Sequence, residues 1–107
     1  MFDDVMSGSS LSKTAVKENT VIKEMTVTNQ LGIHARPASM FVKTANHYRS
    51  DVFVEKDGET VNGKSIMGMM MLAAGPGCKI RVRAEGHDAA QAVLELESLL
   101  RRKFDEE

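Results

Sequence analysis

His34 and Arg36 stand close together in the stretch LGIHARPAS, residues 31–39. A neutral imidazole nitrogen is a nucleophile, and a guanidinium offers a fork of donors that fits phosphate oxygens. Pro37 is tolerated in the first turn of a helix, where amides have no intrahelical partner to lose. That places His34 near the N-cap. The free amides of Ala35 and Arg36 are then left at the helix start, where the dipole favours an anion. The same dipole disfavours an imidazolium, which keeps His34 a nucleophile near neutral pH. The set suits a histidine that briefly carries a phosphoryl group. A capping histidine beside a solvated arginine has the same spacing, and the local pattern alone does not separate the two.

A second stretch, GETVNGKS at residues 58–65, spells the phosphate-binding loop G-x-x-x-x-G-K-[ST]. Its surroundings argue against nucleotide binding. A working loop of that kind joins a buried parallel strand directly to a helix. Here Asp57-Gly58 reads as a hairpin turn, and Thr60-Val61 prefer extended structure. No later apolar strand ends in an aspartate that could hold Mg²⁺. Ser65 is better placed as a helix N-cap, its hydroxyl accepting from an amide two or three residues on.

These residues need elements to hold them. VIKEMTVTN puts Val21, Met25 and Val27 on one side of a strand, with Lys23 as a blemish. After a turn at Gln30–Gly32, the spacing of Ala38, Phe41, Val42 and Ala45 predicts the buried stripe of a helix. DVFVEK and TVN flank the hairpin turn as short strands. SIMGMMMLAA reads as a short apolar helix closed by GPG. In KIRVRAE, Ile80, Val82 and Ala84, with Cys78 before them, face the core, while Lys79, Arg81, Arg83 and Glu85 face away. A last amphipathic helix buries Ala89, Val93, Leu96 and Leu100, with Asp88 and Gln91 as a capping box and Arg101, Arg102 and Lys103 at its negative end. The order β-α-β-β-α-β-α predicts an α+β fold, a two-layer open-faced sandwich. Its four-stranded, mostly antiparallel sheet carries three helices on one face. Residues 1–19, poor in apolar anchors, are expected to be a flexible tail, and residues 20–107 the domain.

The short sulfur-rich helix has no polar face. If Ile66, Met69, Leu72 and Ala73 point inward, Met67 and Met70 are left exposed, and adaptable methionine surfaces suit a protein that must fit several partners. Packing beneath a neighbouring helix is the alternative.

Composition narrows the function classes. The chain has 107 residues, 42% hydrophobic and 27% charged, with a net charge of −1. That balance fits one soluble domain with no field to attract nucleic acid or an anionic membrane. With no tryptophan, one tyrosine and four phenylalanines, an aromatic platform for stacking RNA bases is not expected. Cys78 is the sole cysteine, so no internal disulfide can form. His34, His47, His87 and Cys78 lie at no recurrent metal-ligand spacing. No apolar run nears the roughly twenty residues needed to cross a bilayer. The opening MFDDVMSGSSLSKT lacks the basic start and apolar middle of a secretory signal. A cytoplasmic protein is expected.

The motifs LGIHARPAS and TVNGKSIMG, with this element order, resemble those of the HPr family, the histidine-containing phosphocarriers of the bacterial phosphotransferase system. The resemblance covers roughly residues 20–104. It implies that His34 accepts a phosphoryl group on Nδ1 from phosphorylated enzyme I and hands it to a histidine of a IIA-type protein. Arg36 and the amides of Ala35 and Arg36 would hold the phosphoryl oxygens, and Ile66, Met67 and Met70 would form the apolar docking surface. The role is that of a covalent carrier, not a stand-alone catalyst, working as a monomer with no metal, nucleotide or other cofactor. Ser65 matches the serine that a dedicated HPr kinase phosphorylates in some bacteria, where added charge would weaken docking. MMMLAAG and the ending FDEE look like the nitrogen-related branch (NPr), whereas HARPAS and NGKSIMG are also common among sugar-branch carriers. The sequence does not choose the branch. A regulatory binding module that keeps the fold without phosphotransfer is the rival reading, and His34 with Arg36 argues against it.

Overall fold

The computed structural model describes residues 14–17 and 19–106. The order is β1 (Thr14–Lys17), β2 (Thr20–Thr26), α1 (Ala35–Ala45), β3 (Asp51–Lys56), β4 (Glu59–Asn62), α2 (Ile66–Met71), β5 (Lys79–Glu85) and α3 (Ala89–Arg101), closed by a tight turn at Lys103–Asp105. From β2 onward this is the expected β-α-β-β-α-β-α sequence.

All strand pairs are antiparallel, in the order β1-β2-β5-β3-β4. The expected four strands are therefore joined by a fifth, β1, at the edge beside β2. It comes from the segment assigned to the tail, and its Lys17 pairs with Thr20 of β2. Residues 1–13 and Glu18 of that expected tail lie outside the described residues.

Alternation decides which face of the sheet is covered. Ile80, Val82 and Ala84 of β5 are buried, as are Val52 and Val54 of β3. They meet Ala38, Phe41, Val42 and Ala45 of α1 and Ala89, Val93, Leu96 and Leu100 of α3 in one core. Helix α3 packs on β2 and β5, and α1 packs against both α2 and α3. The opposite face is open, and there Arg83 lies over the ring of Phe53, 4.5 Å from its centroid. Lys23, the blemish in the β2 pattern, reaches the rim of the helical layer and pairs with Glu97 at 2.8 Å.

The capping box expected at α3 does not form. The Asp88 side chain makes no cap bond. It turns to the loop before β3 instead, accepting from the amides of Arg49 and Ser50 at 2.9 and 3.0 Å and from the Ser50 hydroxyl. These donors, the hydroxyl first, lower its pKa from 3.8 to about 2. Among the described residues no helix is long and apolar enough to cross a membrane.

Candidate functional site: the start of helix α1

The loop between β2 and α1 is held from several sides. Ile33 donates its amide to the Ala74 carbonyl at 2.8 Å. This brings the loop so close to the chain after α2 that a Cβ on Gly32 would lie 2.6 Å from that carbonyl oxygen. Gly32 also has φ +71°, a left-handed conformation that costs glycine nothing. Asn29 is buried, and its Nδ2 donates to the Gly32 carbonyl at 2.7 Å.

His34 is the N-cap of α1. Its backbone is extended, at φ −117° and ψ −161°, and its side chain makes no capping bond. Its carbonyl accepts the Ala38 amide at 2.9 Å, beginning the helix. Among the described residues, none accepts from the amides of Ala35 and Arg36. Arg36 is exposed, and no described carboxylate pairs with it. Pro37 is buried in the first turn. The structure thus brings the expected nucleophile, amides and cation to one helix start.

The imidazole turns toward a residue that local sequence reasoning did not find. His34 Nε2 lies 3.3 Å from Glu106 Oε2, with the side chains 41% and 18% exposed. The same oxygen accepts from Asn29 Nδ2 at 3.1 Å. A carboxylate can only accept, so Nε2 is the donor in this pair, and in the neutral ring the lone pair is then on Nδ1. Glu106 is placed by the turn before it, where Lys103, Phe104 and Asp105 have φ of 56°, 55° and 58°. Left-handed backbone at non-glycine residues is unfavourable, and the fully buried Phe104 ring offsets it. The one signal for Glu106 is a large apolar residue in a charged terminus, which marks an anchor but not what the anchor positions.

Helix α2 starts differently. Ser65 Oγ accepts the Gly68 amide at 3.0 Å, a capped start as expected. Ile66, Met67, Met70 and Met71 are exposed by 43, 71, 44 and 67%. Met69 and Leu72 are buried as expected, but Ile66 and Ala73 are not inward. Two turns of helix present too narrow a face to bury them, and Ala74 fills the inner position instead. The phosphate-loop spelling dissolves into structure: Asp57 and Gly58, at φ 52° and 84°, turn the β3–β4 hairpin. The Lys64 ammonium, which such a loop would aim at phosphates, donates to the Tyr48 carbonyl at 2.8 Å.

The family model described as "PTS HPr component phosphorylation site" matches residues 21–102. The chain belongs to the HPr family. Phosphocarrier protein HPr of Treponema pallidum is 41% identical over 87 residues, 81% of this chain and 99% of the relative. The HPr-like protein Crh of Halalkalibacterium halodurans is 48% identical over 73 residues, 68% of this chain and 87% of that one. Among solved structures, HPr-C-His from Thermoanaerobacter tengcongensis superposes with a TM-score of 0.78 at 43% identity, covering 80% of this chain and 97% of its own. The family is one of phosphocarriers in the phosphotransferase system. An HPr from the same Thermoanaerobacter has also been solved as a dimer, so the expected monomer does not follow from membership. The family match begins at residue 21, which leaves β1 outside it.

Proposed function

We propose that His34 is the phosphoryl-carrying residue and that the chain relays the group from enzyme I to a IIA-type protein. The observation that supports this most strongly is the helix start at His34. There the ring leaves the first amides uncapped and turns its Nε2–H to Glu106, so its nucleophilic nitrogen is Nδ1. In the accepting step the Nδ1 lone pair forms an N–P bond as the N–P bond to the phosphohistidine of enzyme I breaks, and that imidazole leaves. No proton leaves Nε2, and Glu106 stabilises the positive charge the ring gains. Arg36 and the amides of Ala35 and Arg36 neutralise the phosphoryl oxygens, so the work is positioning and charge stabilisation. The second step is the same exchange onto a histidine of the IIA protein.

Ile66, Met67 and Met70, with Met71 continuing their surface, form the docking face for both partners. Brief, repeated contacts suit a small apolar patch. The setting is the cytoplasm, and the protein works as a monomer without nucleic acid or membrane insertion. Whether sugar uptake or nitrogen-related regulation is served depends on which IIA protein accepts the group.

Ser65 supports a second, regulatory reading, because its hydroxyl borders the exposed Ile66 and Met67. A phosphate placed there by an HPr kinase would set charge at the edge of the docking face and weaken it.

The test is intact mass after incubation with enzyme I and phosphoenolpyruvate. One acid-labile phosphoryl group on the chain and none on His34→Ala is the expected result. An unmodified chain beside an active cognate enzyme I would sink the carrier reading.

A further inference from the structure

Met67, Met70 and Met71 follow the i, i+3, i+4 spacing that places side chains on one face of a helix. They are 71, 44 and 67% exposed. The other methionines with described side chains are protected. Met25 and Met69 are 5 and 0% exposed, and Met40 packs partly buried against the core. Three accessible thioethers therefore share one small surface, and that surface is the docking face of the carrier reading, on which this inference rests. We propose that these three methionines are an oxidation site, and that peroxide-class oxidants switch docking off there.

The chemistry is a two-electron transfer. The thioether sulfur attacks one oxygen of hydrogen peroxide, the O–O bond breaks, a sulfur–oxygen bond forms and water leaves. Sulfur is oxidised and the peroxide reduced. Each step turns a flexible apolar side chain into a polar, chiral one. The loss falls on groups whose use is adaptable apolar contact, while the fold is spared because Met25 and Met69 are enclosed. Neither His34 nor Arg36 is altered. The expected signature is therefore weaker docking with intact chemistry at the helix start. Methionine sulfoxide reductases, drawing on thiols that leave as a disulfide, return the thioether and release the oxygen as water, so the change is reversible.

The experiment treats the full chain with limiting hydrogen peroxide, maps the added oxygens by peptide mass spectrometry, and measures phosphoryl transfer from phosphorylated enzyme I. Oxygen should enter Met67, Met70 and Met71 before Met25 or Met69. The KM for the chain as acceptor should rise roughly tenfold, as when apolar anchors are lost from an interface, while kcat stays within about twofold. A triple variant, Met67→Leu, Met70→Leu and Met71→Leu, keeps Cys78 and the remaining methionines. Whatever its own starting KM, peroxide should not move it. An unchanged KM with the three sulfoxides in place overturns the proposal, as does a peroxide effect persisting in the leucine variant or prior oxidation of the buried methionines. An untreated chain that takes no phosphoryl group from an active enzyme I overturns the carrier reading itself and the switch with it. The two failures are therefore told apart before any oxidant is added.

Discussion

Helices α1 and α2 lie packed together, yet their first turns are finished in different ways. Ser65 folds its hydroxyl back on the Gly68 amide and closes the start of α2. His34 occupies the same cap position on α1 but makes no such bond, and its ring reaches to Glu106, 72 residues away in sequence. A capping hydroxyl contributes about 1 kcal/mol. Forgoing it at α1 leaves amides, a dipole and an exposed arginine available to an anion. The closed start stabilises a short helix that presents an apolar surface, and in the proposed carrier role the open one holds the reacting group. In this reading, positioning and docking are divided between the two helix starts.

The largest expected effect breaks the open start by charge. Arg36→Ala should slow transfer from enzyme I by about a hundredfold, the scale of one lost stabiliser of a developing charge. Single-turnover rates should show this with the fold unchanged. A rate within about twofold of the parent would mean the arginine is only solvated.

Next comes the tether on the ring. Glu106→Ala should lower the transfer rate about tenfold, the scale of a lost hydrogen bond to a charged group. It should also let the proton move between the two ring nitrogens, seen in the ¹⁵N shifts of His34. A purely structural role for Glu106 would change stability without touching the ring tautomer.

At the closed start, Ser65→Ala should cost about 1 kcal/mol, a fall in Tm of roughly 4–8 °C for a domain of this size. His34 should still accept a phosphoryl group. If phosphoryl acceptance is abolished at a temperature where the variant remains folded, the division between the two starts is wrong.

The smallest effect belongs to Asp88, a capping-type side chain spent on a neighbouring loop. Its pKa is lowered to about 2, first by the Ser50 hydroxyl and then by the Arg49 amide. The folded state therefore favours the ionised form. That contribution is complete above about pH 4 and is lost as pH falls through about 2. Stability measured against pH should decline less steeply for Asp88→Asn than for the parent over that interval.

The sequence carried the strands and helices from β2 onward because each has a period its neighbours enforce. Ile80, Val82 and Ala84 alternate, and Ala38, Phe41, Val42 and Ala45 keep a helical spacing. It also carried His34 and Ser65 as the N-caps of their helices, since Pro37 and the apolar run after Ser65 are local signals. What it missed is set by distant partners. Glu106 reaches His34 through three left-handed residues without a glycine, anchored by Phe104, and no periodicity encodes that path. Asp88 has the spacing of a capping box, but the nearby amides of Arg49 and Ser50 compete for it and win. Lys23 breaks the apolar pattern of β2 because its partner, Glu97, lies on α3. The strand Thr14–Lys17 has the composition of a tail, because four residues at a sheet edge take their order from the partner strand.

The most direct test of the central claim is ¹⁵N–¹H and ³¹P NMR of the histidine-labelled chain before and after phosphorylation by enzyme I. The account expects the free His34 ring to carry its proton on Nε2, and the phosphoryl group to appear on Nδ1 of His34 alone with that proton retained. Phosphorylation on Nε2, or on His47 or His87, would contradict it.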